Sequence, residues 1–241
     1  MLMLEHVLYK PFCSVSALYR IHHASFRPRR NQPHGHSSRE RGSRGHPFQH
    51  HLIYARSPSK LPIELSTNKS ITVVQGELDE KEKLCNALAG VDAILTALGP
   101  PSNGVHPADF PLTRAYKILL ALMREHGIKR IITLGTASIV APEDRFAVGL
   151  FLIVKFVKTF YNTAYEDLVE VGKVIAAADD IDWTLVRVPY LTDKPNKEVI
   201  VGFVGDGYVG SALARVGYAA FCVEELLHPQ WVRRMPALSS K

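Results

Sequence analysis

Five short segments carry side chains suited to a flat, phosphorylated ligand. Arg56-Ser57-Pro58-Ser59-Lys60 pairs a guanidinium with a lysine point charge. The planar fork of arginine clamps a phosphate through two parallel hydrogen bonds. Gly76-Glu77-Leu78-Asp79 offers a tight exit from a strand, an acceptor for an exocyclic amino group and an apolar side chain for a ring face. Ala97-Leu98-Gly99 is small enough for a ligand backbone to pass close to the chain. Thr133-Leu134-Gly135-Thr136-Ala137-Ser138 brings hydroxyls able to hold a ribose or a substrate carbonyl, and Val188-Pro189-Tyr190 ends a strand abruptly. Taken singly, each has a plainer reading: a solvated basic turn, a helix N-terminus with favourable acids, a strand terminator.

Each segment follows a strand. His51–Arg56, Ile71–Gln75, Val91–Leu98, Arg130–Leu134 and Trp183–Val188 are short apolar or β-branched runs, with Val199–Val204 as a further strand. Helical spacing separates several of them, over Asp79–Leu88, Leu112–His126, Tyr165–Ala178 and Val216–Leu227, with Gly127 as a C-cap. Continuous apolar strands alternating with amphipathic helices predict an α/β fold, a Rossmann-like parallel sheet with helices on both faces. Ligands of such sheets sit at the carboxyl ends of the strands. The turn after the second strand then meets the adenosine ribose, where an acid binds a 2′-hydroxyl and an arginine accommodates a 2′-phosphate. No acid occurs from Ile53 to Pro62, so the cofactor expected is NADP(H) rather than NAD(H).

The order strand–RSPSK, strand–GELD, strand–ALG, strand–TLGTAS, helix, DWTLVRVP resembles the atypical short-chain dehydrogenase/reductase group with NAD(P)H-binding, NmrA-like domains, which includes flavin reductase/biliverdin reductase B-type enzymes. The resemblance extends over about residues 52–237. It implies that Arg56, with Ser57 and Lys60, receives the 2′-phosphate, and that Gly76, Glu77 and Leu78 surround adenine. It further implies that Ala97, Leu98 and Gly99 line the pyrophosphate and ribose, and that Thr136–Ser138 and Val188–Tyr190 flank the nicotinamide.

The pattern breaks in two places. The family opens with a strand and a GxxGxxG turn whose amides hold the pyrophosphate. The glycines available here, Gly35, Gly42 and Gly45, have the wrong spacing and no apolar strand before them. The fold is therefore expected to be incomplete at the N-terminus, with weak cofactor binding and marginal stability. Met1–Tyr9 is a candidate substitute strand, though no phosphate-binding turn follows it. The second break is the missing Tyr-x-x-x-Lys pair of classical members: Tyr165 is followed at the fourth position by Val169. Ser138 and Tyr165 remain the candidate proton donors.

Charge separates the two parts of the chain. Residues 1–51 hold eight Lys/Arg against two acids, the whole of the net +6, and eight of the 11 histidines. The rest balances 21 basic against 21 acidic residues. The expected division is a disordered or aberrant basic arm over 1–51 and a nucleotide-binding domain over 52–241. The arm reads as inert, as a mitochondrial targeting segment, or as out-of-frame sequence replacing the first βα unit. The balanced remainder gives no electrostatic support for nucleic-acid binding. Cys13, Cys85 and Cys222 lack metal or disulfide spacing, which makes a cytoplasmic, reducing location the default. Gly149–Val154 and the lysine-interrupted run after it are too short to span a bilayer and read as an amphipathic helix or lid.

The function expected is an NADP(H)-dependent oxidoreductase acting on a small carbonyl, quinone or flavin-like acceptor, with no membrane or nucleic-acid partner. The alternatives are a non-catalytic dinucleotide-binding regulator and an inactive product.

Overall fold

A computed structural model describes residues 15–21, 48–100 and 105–241. Its strands are β1 (Val15–Ile21), β2 (Phe48–Ala55), β3 (Ile71–Gln75), β4 (Ala93–Thr96), β5 (Arg130–Thr136), β6 (Asp182–Val188), β7 (Tyr190–Thr192), β8 (Val199–Gly202), β9 (Ala212–Ala214) and β10 (Ala237–Ser240). Its helices are α1 (Ile63–Ser66), α2 (Lys81–Leu88), α3 (Pro111–Glu125), α4 (Val148–Phe160), α5 (Asn162–Ala176) and α6 (Arg215–Leu227). Eight strands form one sheet in the order β3-β2-β1-β4-β5-β6-β10-β8, while β7 and β9 pair separately.

The strand pairs β2–β3, β4–β5, β5–β6 and β6–β10 are parallel, as the alternation of strands and helices predicts. Side chains alternate across the sheet with period two. Ile53, Leu95, Ile132 and Val186 enter the core under α6, whereas Tyr54, Ile94, Ile131 and Leu185 pack with buried residues of α2, α3 and α5. Helices thus cover both faces. Gly127, with φ +71°, closes α3 in the left-handed conformation that a Cβ disfavours.

The centre of the sheet differs from the sequence expectation. Strand β1 sits between β2 and β4 and runs antiparallel to both, with Val15 opposite Ala55 and Ser16 opposite both Tyr54 and Thr96. The ladders of β2 and β4 are therefore paired on both sides, which answers the need to satisfy their backbone groups. Val15–Ile21, rather than Met1–Tyr9, supplies the central strand; Met1–Tyr9, Cys13, Gly35, Gly42 and Gly45 lie outside the described residues. The division at residue 51/52 falls inside β2, which begins at Phe48.

Antiparallel pairing has a further consequence. The carboxyl ends of β2, β4, β5 and β6 mark one rim of the sheet, and β1 begins there at Val15. It ends at Ile21, on the opposite rim. The carboxyl end of β1 therefore lies far from the edge where a Rossmann glycine turn holds pyrophosphate.

Two buried ion pairs lock the carboxyl-terminal half. Arg130 at the start of β5 bonds Glu225 Oε1 of α6 at 2.8 Å, and Glu225 also accepts the amides of Gln230 and Trp231. Burial pushes the Arg130 guanidinium below its usual pKa, and Glu225 opposes that shift. Arg187 of β6 grips both oxygens of Asp144 at 2.5 and 2.7 Å and also bonds the carbonyls of Ile139 and Met235. The loop after β5 is thereby tied to β6 and to the segment that leads into the last strand.

Candidate functional site

A cleft opens on the rim where β2, β3 and β4 end. Its walls include Tyr54, Arg56, Gly76, Glu77, Leu78 and Asp79 on one side, with Leu98, Gly99 and the first turns of α3 on the other. The volume is about 210 Å³, below the ~300–1,000 Å³ of a complete ligand site. The cleft therefore suits one end of an extended ligand rather than the whole of it.

Strand β2 carries Arg56 to the cleft, one residue past its last ladder position. The Arg56 carbonyl accepts a hydrogen bond from Gln75 Nε2 at 3.4 Å. Its exposed guanidinium makes no ion pair among the described residues and is free to meet an anion. Ser57 and Lys60 stand beside the cleft rather than in its wall. Ser57 opens a single 3-10 turn over Pro58–Lys60, and Lys60 projects to solvent.

The turn after β3 is held from two directions. Tyr54 Oη donates to the carbonyl of Glu77 at 2.8 Å. The amide of Glu77 donates to Glu80 Oε2 at 2.6 Å, and Lys83 Nζ donates to the other Glu80 oxygen. The Lys83 hydrogen bond is the largest cause holding the Glu80 carboxyl below its usual range. Burial, helped by Glu80, Asp79 and Glu77, pushes the Tyr54 hydroxyl up to about 12, so it remains a donor. Gly76 is dictated by this packing: a Cβ there would lie 2.1 Å from Tyr54 Oη. Leu78 offers an apolar surface beside the exposed Glu77 carboxylate.

The opposite wall was not legible in the sequence. Pro111, Leu112, Arg114, Ala115 and Ile118 of α3 line the cleft. The helical periodicity of that stretch was visible, but not which face would meet β2. Phe110, at φ +54°, precedes α3 and gives no side-chain cap. Asp167 of α5 does that work instead, accepting the amides of Leu112 and Thr113 at 2.9 Å each and His106 Nε2 at 2.8 Å. Arg114 bonds Asp109 at 2.5 Å and adds a second cation to the cleft.

The remaining candidates stand further along the same rim. Ala97 is buried in the core under α6, outside the cleft wall. Thr136 pairs with Val188 across β5 and β6, and Pro189 follows. Ser138 is buried two residues past β5, its amide donating to Thr136 Oγ1 at 3.3 Å. Tyr165 is half-buried in the first turn of α5, with Lys158 Nζ 5.6 Å from its ring centre. Arg56, Glu77 and Gly99 thus share one cleft, and Ser138 shares its rim. Thr136, Ser138, Tyr165, Val188 and Pro189 are outside the cleft itself.

The sequence from 44 to 229 matches the model of a family described as NAD(P)H-binding. The chain belongs to that family. The atypical short-chain dehydrogenase/reductase resemblance is borne out at this level. No curated protein matches the chain in sequence. Among solved structures it is similar to a wide-type short-chain dehydrogenase/reductase from Veillonella parvula in complex with NADP (TM-score 0.62, 15% identity, 78% of this chain and 82% of that one). It is also similar to the oxidoreductase ylbE from Lactococcus lactis (TM-score 0.61, 16% identity, 79% of each chain). A Rossmann-fold NAD(P)-binding family protein from Shigella flexneri gives a TM-score of 0.57 at 16% identity, over 78% of this chain and 79% of that one. At such identities these likenesses establish the fold. Among the described residues no helix of this NAD(P)H-binding protein is long and apolar enough to cross a membrane, and no cluster of side chains could hold a metal ion.

Proposed function

We propose that this chain binds NADP(H) by its adenosine 2′-phosphate end in the Arg56 cleft and acts as an oxidoreductase on a small carbonyl, quinone or flavin-like acceptor. The observation that carries the reading is the juxtaposition of an unpaired Arg56 guanidinium with Gly76, Glu77 and Leu78 in one cleft. Arg56 fits a phosphate, Glu77 an adenine amino group and Leu78 a ring face. The adenosine half of the cofactor therefore fits the residues present. Along the rim, the Ser138 and Tyr165 hydroxyls are the groups available to hold or deliver a proton at a substrate oxygen. Bound NADPH would supply the hydride.

Calorimetry with NADPH, NADH and 2′,5′-ADP tests the first half. NADPH should bind more tightly than NADH, and Arg56→Ala should remove the difference. A charged hydrogen bond contributes about 1.5–3 kcal/mol, roughly ten- to a hundredfold in affinity. Equal affinities for the two cofactors in the unmodified protein would refute the phosphate role of Arg56. NADPH consumption over a panel of quinones, flavins and aldehydes tests the second half.

The direction of β1 favours a second reading, a nucleotide-binding protein without turnover. Its carboxyl end leaves from the rim opposite the cleft, so among the described residues no parallel first strand offers an amide cradle to the pyrophosphate. Binding with no NADPH consumption on any acceptor would select this reading.

A further inference from the structure

Helix α4 exposes apolar side chains on most of its surface. Phe146, just before it, is 77% exposed, and Leu152, Phe156 and Phe160 are 59%, 56% and 67% exposed. At 3.6 residues per turn, Val148, Leu152, Phe156 and Phe160 fall in one row of successive i, i+4 neighbours. Phe151 and Lys155 stand in the next row, with Lys158 beyond them. Val154 and Val157 are partly buried on the inner side. The apolar row therefore points away from the protein's own core.

Its charges are all of one sign. From Arg145 to Tyr165 the sequence holds Arg145, Lys155 and Lys158 and no acid. All three cations are exposed, and Lys155 Nζ lies 6.0 Å from the Phe151 ring centre. An aromatic-aliphatic stripe with lysines along one edge is the composition of a helix that lies in a membrane interface. Its 13 residues reach about 20 Å, short of the ~30 Å hydrocarbon core, so it lies on a bilayer rather than through it.

We propose that α4 docks on an anionic lipid bilayer. The Val148–Leu152–Phe156–Phe160 row sits at the acyl-chain boundary, and Lys155 and Lys158 extend to lipid phosphates. A second copy of the chain is a poorer occupant, because two-fold pairing brings these cations near their own mates with no acid on the helix to neutralise them. The expectation of no membrane partner rested on span length, which does not bear on an interfacial helix. The proposal concerns α4 alone and is independent of cofactor binding.

Residues 1–51 are themselves basic, so total vesicle binding is a poor readout; a reporter on the helix is needed. In full-length protein carrying Phe156→Trp, emission should shift to the blue on adding phosphatidylcholine vesicles that contain phosphatidylglycerol. Brominated acyl chains should quench it. Added salt should weaken the response, and Lys155→Glu with Lys158→Glu should raise the lipid needed by roughly tenfold or more. Leu152→Asp in the same background should abolish the shift while leaving the urea midpoint unchanged. No shift on vesicles that sediment with the protein would overturn the proposal, since binding would then run through the basic segment. Emission already blue in buffer, with a dimer in analytical ultracentrifugation that Leu152→Asp dissociates, would overturn it in favour of self-association.

Discussion

The Asp167 carboxylate, carried by α5, closes the N-terminus of α3 by accepting the amide and hydroxyl of Thr113 at 2.9 and 2.6 Å. Two residues 54 apart in the chain thus form one capped junction, and the first turn of that capped helix walls the cleft. With the His106 bond included, the buried carboxylate has a partner on each oxygen.

Asp167→Asn keeps the shape but replaces one acceptor oxygen by a donor facing amide or imidazole N–H groups. Breaking a buried, hydrogen-bonded charge costs about 3–5 kcal/mol. A urea titration should show a loss of that order. Asp167→Asn should also weaken nucleotide binding, because α3 no longer holds its wall of the cleft. A midpoint within about 0.5 kcal/mol of the parent would show that α3 is positioned by its apolar face alone.

Strand β1 is expected to bear on stability despite its place in a basic, polar segment. Leu18 lies mid-strand, opposite Leu52 on one side and Ile94 on the other. Leu18→Pro removes a ladder donor and fixes φ inside a central strand, at a cost of about 3 kcal/mol or more. Hydrogen exchange should find the Val15–Ile21 amides protected alongside those of β2 and β4. Rapid exchange across β1, with no loss of stability in Leu18→Pro, would mean that β2 and β4 do not depend on it.

Gly76→Ala forces Tyr54 off its carbonyl partner, since the new methyl would sit 2.1 Å from the hydroxyl. Overpacking of this kind costs about 1–3 kcal/mol. Tyr54→Phe should relieve part of that loss in the double variant, because the colliding oxygen is gone. Denaturant midpoints of the two single variants and the double variant form the required cycle; strict additivity would deny the contact.

Acid should erode one surface link. Arg124 clamps Asp180 through two bonds of 2.8 Å, and this hydrogen bonding is the main cause that lowers the Asp180 pKa from 3.8 to about 2. A carboxyl whose pKa is lower folded than unfolded stabilises the protein above the unfolded value and loses that contribution as pH falls towards the folded one. The difference in urea midpoint between the parent and Asp180→Asn should hold steady above about pH 4 and close towards pH 2. Both groups are largely exposed, so salt should shrink the difference as well.

Much of the fold was legible because apolar periodicity is local. β3 and the strand over Trp183–Val188 lie within a residue of their expected bounds, and the helix expected over Leu112–His126 appears as Pro111–Glu125. Arg56, Gly76, Glu77, Leu78, Leu98 and Gly99 were legible as cleft residues because a parallel sheet brings the ends of its strands to one rim. Tyr54 was read only as part of a strand, since nothing in the sequence reveals that its hydroxyl reaches a carbonyl 23 residues away.

The sequence by itself determined the α/β alternation, the rim that carries the candidate residues and the presence of a cationic Arg56 at that rim, since each depends on residue type and short spacing. Only the tertiary structure decided that Val15–Ile21 fills the central gap antiparallel and that Asp167 caps α3. It also decided that α4 turns its apolar row outward. The physical reason is that strand direction, remote capping and the orientation of a largely apolar helix are set by which distant backbone and side-chain groups remain to be satisfied. Local sequence does not encode that accounting.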